Sequence, residues 1–333
     1  MTNIHILKPG CNPDVVKANK TNLQLRELQM LRSAIRTIED EADILTADQL
    51  VNNYTAMAGH LFFVFNSAKC FDDELDKIVR VLCMVNGARI VFVSNDCRLK
   101  IDTATTATWN QLINRLVDSS IKVFIATNAT TELDAYAKLV APKIARFVPC
   151  LHIPLDMLPC WLRRDTQSEK TRDLVFCCMH FKDYDKRRKQ QLQQLQEVYG
   201  DRLIFTGDME GLLRDGKQIE SIVTDTKDVS QWYAPTKVAP VILEAKYSKF
   251  GVQPNRLSES LMNNCAPVVL TDMPMLYRNW FATASTFDKF VKCIDELLAN
   301  EDYRQTILEK QQAVLELRKS LLLDRLMMFI HMK

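Results

Sequence analysis

Short runs of β-branched and aromatic residues, each followed by apolar positions at helical spacing, recur along this chain and point to parallel sheets covered by helices. In the first half the strand candidates are NIHIL (3–7), HLFFVFN (60–66), ARIVFVSND (88–96) and IKVFIATN (121–128). Between them Leu75, Ile78, Val79 and Leu82 fall at i, i+3, i+4 and i+7, and Trp109, Leu112, Ile113, Leu116 and Val117 form a second such face. Each is an apolar stripe fit to pack on a sheet. The second half repeats the scheme with DLVFCCM (173–179), a helix ending at Gly200, RLIFTG (202–207), VAPVILEA (238–245) and APVVLTD (266–272). A helix with Phe287, Phe290, Val291, Ile294 and Leu298 on one side follows.

Between the two series, residues 146–173 carry Pro149, Pro154 and Pro159 and then a charged polar run. That is a boundary signal, and it places a linker near 152–171. A length of 333 residues also exceeds what one core usually organises. The expected organisation is an α/β domain over 1–155, a second over 170–310, and a C-terminal helix, 311–333, packing back on the first. Residues 302–331 read as helix, too long for one more sheet-covering element, and a bend is expected within them.

The balance of 43 basic against 41 acidic residues neither proposes nor excludes nucleic acid as a partner. Ten cysteines occur without a CxxC pair or regular spacing, which favours reduced thiols over a zinc site or a disulfide framework. The start, MTNIHILKPG, lacks the basic and apolar regions of a signal peptide, and no apolar run approaches the ~20 residues of a spanning helix. A cytoplasmic location without a membrane partner is therefore expected.

Only eight glycines are present, and neither GxGxxG nor GxxxxGK[ST] occurs. A phosphate would have to be held by side-chain cations and helix N-termini. Ligands of open α/β sheets bind beyond the carboxyl ends of the strands, which singles out four places. In VSNDCRLK (93–100), Asp96 ends an apolar strand and Arg98 follows; Asp96 either turns the chain or does chemistry. In FCCMHFKDYDKRRKQQL (176–192), His180, Lys182, Lys186, Arg187 and Arg188 crowd a helix start. Cations there oppose the macrodipole and require a counter-anion such as a pyrophosphate, unless they form a solvated face. The Asp183-Tyr184-Asp185 triplet matches a two-carboxylate metal motif, but its basic neighbours disfavour a divalent ion, and no metal site is expected.

The third place is RLIFTGDMEG, where Thr206 and Gly207 offer backbone at a strand end, for a nucleobase edge or as a plain turn. The fourth is LEAKYSKFGVQPNRLSES: Glu244 ends a strand, Tyr247 lies in the loop, Asn255 is placed to cap a helix, and Arg256 and Glu259 stand three residues apart. Those two charges make either a local ion pair worth ~0.2–0.5 kcal/mol or half of a ligand site. In the second case Glu259 accepts from a ribose and Arg256 faces a phosphate.

Taken in order, NYTAMAGHLFFVFNSAKCF, RIVFVSNDCRL, SSIKVFIATN, LVFCCMHFK, KYSKFGVQPNRLSESL and VVLTD resemble the DNA beta-glucosyltransferase family of T-even phages over most of the chain. The resemblance implies an α/β fold of the GT-B type, two Rossmann-like parallel-sheet domains facing across a cleft, with a C-terminal helix returning to the first. It implies an inverting transfer, by a monomer in the host cytoplasm, from a UDP-sugar to 5-hydroxymethylcytosine in duplex DNA, which protects phage DNA from host nucleases. Asp96 would be the general base, with Arg98 beside it. Lys182 and Lys186 would stand where the family has two arginines on the diphosphate, with Arg187 as an alternative second cation. His180, Thr206 and Gly207 would line the donor site, Arg256 would join the diphosphate, Glu259 would hold the ribose, and Glu244 and Tyr247 would line the sugar and phosphate side. Lys17, Lys20, Arg98 and Lys100 are the candidate contacts to DNA phosphates. A divalent ion, Mg or Mn, would be stimulatory without a dedicated protein site.

Two departures stand out. Cys177, Cys178, Met179 and His180 occupy the place of the family's glycines and serine, so the backbone approaches a phosphate less closely. Lysine is a point charge where the family has a planar fork. The sugar, glucose or arabinose, stays open. So does the acceptor, which is hydroxymethylcytosine, hydroxymethyluracil, a sugar already on DNA or a non-DNA molecule; a non-catalytic nucleotide-binding protein is a further alternative.

Overall fold

In IHIL (Ile4–Leu7), LFFVF (Leu61–Phe65) and APVVL (Ala266–Leu270) every residue is buried. A half-exposed strand would alternate, so both faces of these strands are covered, as in parallel sheets sandwiched by helices. The computed structural model describes residues 3–9, 23–65, 73–94, 103–128, 148–161, 168–180, 186–208, 226–243, 253–272 and 282–332. The chain divides into two compact units, one of Met1–Trp161 with Lys319–Lys333, the other of Leu162–Lys249 with Gln253–Arg318.

The first unit contains β1 (Ile4–Leu7), α1 (Leu23–Ile35), β2 (Ala42–Ile44), α2 (Ala47–Asn53), β3 (Leu61–Phe65), α3 (Asp73–Leu82), β4 (Arg89–Ser94), α4 (Thr103–Asp118), β5 (Lys122–Thr127) and β6 (Cys150–His152). Its sheet runs β2-β1-β3-β4-β5-β6 with every pair parallel. The expected apolar faces close its core: Leu75, Ile78, Val79, Leu82, Leu112, Ile113 and Leu116 are buried against Phe62, Val64, Ile90 and Phe92. α2 begins with a reciprocal cap in which Thr46 Oγ1 accepts from the Gln49 N–H and the Gln49 side chain accepts from the Thr46 N–H.

The second unit contains β7 (Arg172–His180), α5 (Lys186–Tyr199), β8 (Leu203–Asp208), α6 (Thr226–Tyr233), β9 (Thr236–Ile242), α7 (Asn255–Met262), β10 (Ala266–Leu270), β11 (Ala282–Ala284), α8 (Phe287–Ala299) and the start of α9 (Glu301–His331). Its sheet is also parallel, in the order β11-β10-β9-β7-β8. Lys170 donates to the carbonyls of Ala234, just beyond α6, and Asn263, the C-cap of α7, at 2.6 and 2.9 Å, so one ammonium satisfies two helix ends. In α8 the inward positions are Phe290, Ile294 and Leu297.

Three features differ from the sequence reading. The expected linker over 152–171 begins inside structure, because β6 follows Pro149 and a 3₁₀ helix, Leu155–Trp161, follows Pro154 and contains Pro159, and Leu155–Cys160 are buried. Prolines here punctuate an edge strand and a tight turn rather than a loose tether. The expected bend in the last helix is absent: α9 is one helix of 31 residues. With neither Gly nor Pro inside it, the break falls instead at Asn300, whose side chain accepts from the Tyr303 N–H at 2.9 Å. Finally β2, β6 and β11, three residues each, escaped the pattern because they are shorter than the alternation that would mark them.

The far end of α9 is fixed to the first unit. Arg89 donates to the Ile330 and Met332 carbonyls at 2.9 and 2.7 Å, and Phe329 sits edge-on to Phe63 and Phe124 at 6.3 and 6.0 Å between centroids. At the same amino-terminal edge of this sheet as Arg89, His5 Nε2 lies 2.9 Å from His60 Nδ1, and Asn3 Nδ2 lies 3.0 Å from His60 Nε2. His5 Nδ1 is buried without a hydrogen-bond partner. Burial and the neighbouring His60 hold the His5 imidazole down at a pKa of about 4, against a weaker opposing pull from Asp43.

Candidate functional site

In each sheet the first strand is flanked by the second on one side and the third on the other, so the loops leaving it and its third-strand neighbour diverge. A crevice at the carboxyl end follows from that reversal. It lies between β1 and β3 in the first unit and between β7 and β9 in the second.

In the second unit a proline widens the divergence. β7 pairs with β9 at Arg172–Thr236 and Leu174–Val238. The next step falls at Pro240, whose nitrogen has no proton to give the ladder. β7 stays with β8 through Cys177–Thr206, then irregularly to His180–Asp208.

α7 opens beside this crevice. Pro254, with φ −72° and ψ 143°, is its N-cap, so the expected cap at Asn255 is corrected by one residue: the extended ψ of proline turns the chain, and Asn255 is already helical. No side chain caps this end. Gln253, just before it, is buried with its Oε1 unpartnered. Arg256 is half-buried and Glu259 is buried, 8% exposed. Both charges act electrostatically on the thiol of Cys177 in β7 and the phenol of Tyr233 at the end of α6. Burial pushes the Cys177 thiol up to about 11, with Glu259 adding to the rise and hydrogen bonds from Thr206 and Tyr233 and the Arg256 charge opposing it. The Tyr233 phenol is raised as well, chiefly by burial. Glu259 is buried and Arg256 half-buried, so the pair does not lie on a solvated helix face.

The basic helix start is α5. Lys186 and Arg187 are exposed at its first two positions, and its first turn has no acidic residue. Arg187 forks onto Asp272, beyond β10, with both Nη atoms at 2.6 Å from the two carboxylate oxygens. Arg188, read in the sequence only as part of a basic run, is buried with its guanidinium 5.7 Å from the ring of Phe176. Thr206 is buried and its hydroxyl lies 3.2 Å from Cys177 Sγ; Gly207 and Thr206 both lie inside β8 rather than in a turn. His180 is the last residue of β7. Lys182, Glu244 and Tyr247 lie outside the described residues, as do Asp96, Arg98, Lys100, Lys17 and Lys20.

At the first-unit crevice the sequence reading missed a buried ion pair. Lys8, the residue after β1, reaches Glu27 of α1 at 2.6 Å, with side chains 1% and 14% exposed, and lies 5.9 Å from the ring of Phe65 at the end of β3. Thr127 and Asn128 at the end of β5 are also buried. No spacing rule connects positions so far apart, so only the fold could bring them to one sheet edge.

Among the described residues no group of three or more His, Cys, Asp or Glu could hold a metal ion, and no helix is long and apolar enough to cross a membrane. Cys83, Cys160, Cys177, Cys265 and Cys293 are not joined in disulfides.

Neither protein-family models nor curated proteins match the chain. Solved structures do. T4 phage beta-glucosyltransferase in complex with its UDP-glucose substrate is similar over 99% of this chain and 100% of that one, with a TM-score of 0.67 at 14% identity. The same enzyme with UDP and Mn²⁺ gives 0.64 at 15% identity over 99% and 100%. An α,α-trehalose 6-phosphate synthase from Burkholderia multivorans gives 0.52 at 9% identity over 99% and 98%. At these identities the likeness establishes the fold, the two-sheet GT-B architecture expected from the sequence.

Proposed function

We propose that a protein with this fold and this second-unit crevice is a UDP-sugar-dependent glycosyltransferase, and that its acceptor is the hydroxymethyl group of 5-hydroxymethylcytosine in duplex DNA. The observation that carries the reading is the open N-terminus of α7 at the β7/β9 divergence, with Arg256 in its first turn and the buried Glu259 one turn on. The fold is shared with a transferase solved with UDP-glucose, which supports the same placement of a donor.

A diphosphate suits this end of α7 because unsatisfied N–H groups and the helix dipole favour an anion, and Arg256 adds a full charge. Lys186 and Arg187, with Lys182 and His180 preceding them in sequence, complete the cationic side. Glu259, acceptor-only when ionised, suits the two hydroxyls of a ribose. Thr206 and Gly207 would border the nucleobase, and Glu244 and Tyr247 the sugar.

A primary hydroxyl is a poor nucleophile at neutral pH. Asp96 would accept its proton as the oxygen attacks the anomeric carbon, while the cations stabilise the departing diphosphate. One base and direct attack give inversion without a covalent glycosyl-enzyme. Reaching Asp96 requires the acceptor base to leave the helix stack, with Arg98, Lys100, Lys17 and Lys20 as the groups that would meet the phosphates.

Mass spectrometry of duplex DNA with and without hydroxymethylcytosine, after incubation with a panel of UDP-sugars, tests this. One added hexose or pentose, only on modified DNA and lost in Asp96→Ala, is expected. Donor hydrolysis or transfer to a small acceptor with DNA left unmodified would refute the acceptor assignment.

A further inference from the structure

Four consecutive basic residues, Lys186 to Lys189, open α5, where the helix dipole repels cations and no acidic residue in the first turn offsets them. The counter-anion that such a start demands is present, but it belongs to the protein: Asp272 grips both Nη atoms of Arg187 at 2.6 Å. Arg187 follows β7 and Asp272 follows β10, and β9 lies between those two strands. The ion pair therefore joins chain segments on either side of the β9 carboxyl end, the edge where β7 and β9 diverge. Its side chains are 62% and 51% exposed. A pair so exposed is held weakly, despite its fork geometry, and exchanges readily for a stronger anion.

We infer that Asp272 is a stand-in for the donor's phosphate: its carboxylate holds the Arg187 guanidinium at the crevice edge until a diphosphate replaces it, and recaptures the guanidinium when the nucleoside diphosphate leaves. The inference rests on the donor site described under the proposed function. It makes Asp272 a competitor of the ligand and Arg187 the group they compete for. A carboxylate that merely aimed Arg187 at the donor would have the opposite effect on affinity.

The test is a calorimetric titration of UDP into the wild type, Asp272→Asn, Arg187→Gln and the double variant. Both substitutions lie on exposed side chains and leave the core untouched. Asp272→Asn is expected to tighten UDP about two- to fivefold, the worth of an exposed pair, and the gain should vanish in the Arg187→Gln background. Weaker binding by Asp272→Asn would show that the carboxylate positions Arg187, and would overturn the exchange. An equal gain with and without Arg187 would reveal simple charge repulsion, and would overturn it too. If the wild type binds no UDP, the donor reading itself falls, an outcome distinct from both of these.

Discussion

Acid should weaken the first unit through His5. The imidazole is held at about 4, below its ordinary 6.5, by burial first and by His60 second. Between those values the unfolded chain binds a proton that the folded chain refuses, so stability falls as pH drops through this window and levels off below it. With these two values the linkage relation gives a loss of ~0.2 kcal/mol at pH 7, ~2 kcal/mol at pH 5 and ~3 kcal/mol at pH 4. The geometry agrees. The 2.9 Å contact between His5 Nε2 and His60 Nδ1 needs one nitrogen to donate and the other to accept, and a second proton on the pair would set two donors face to face. The assay is urea unfolding of wild type and His5→Gln at pH 7 and pH 5. The wild type should lose ~2 kcal/mol more than the variant, because glutamine removes the titration while keeping a polar group at the site. Equal losses in the two proteins, or a wild type that gains stability on acidification, would refute the reasoning.

Glu259→Ala should weaken UDP binding about 10- to 100-fold, the worth of hydrogen bonds to a charged acceptor, with little change in melting temperature; calorimetry and thermal denaturation together check it. Arg89→Ala should cost ~1–3 kcal/mol by orphaning the carbonyls at the end of α9, and hydrogen exchange should rise in residues near Ile330 before it rises elsewhere. Lys8→Met should cost ~1–3 kcal/mol because it removes the buried ammonium that donates to the Glu27 carboxylate, whereas Lys8→Met with Glu27→Gln should recover part of the loss in denaturant unfolding.

How much of this was legible in the sequence depends on the range over which each signal acts. Strand runs such as LFFVF and faces such as Leu75 to Leu82 are local patterns, and the structure has them where they were expected. That Arg256 and Glu259 sit at the start of a helix after a strand was also legible, since that succession is itself local. The Arg187–Asp272 fork joins residues 85 apart and the His5–His60 contact residues 55 apart, and nothing in either neighbourhood announces the other. Thr206 illustrates a different limit: a hydroxyl at a strand end reads as available, yet in the sheet it meets Cys177. Pro240 was a signal that went unused. A proline within a strand-like run marks where a ladder must stop, and here it stops beside the crevice.

The last helix also bears on how the protein is made. Phe63 and Phe124 in the first sheet are covered by Phe329, and Arg89 is satisfied by carbonyls at Ile330 and Met332. At translation rates of 5–20 residues per second, the roughly 170 residues separating Trp161 from that segment take ~10 to 30 s to synthesise. During that interval the earlier-made unit waits with part of its sheet uncovered, while the later-made unit can mature first. The unit encoded first is thus the one finished last, and nascent-chain proteolysis should find it open until the segment near residue 330 has emerged.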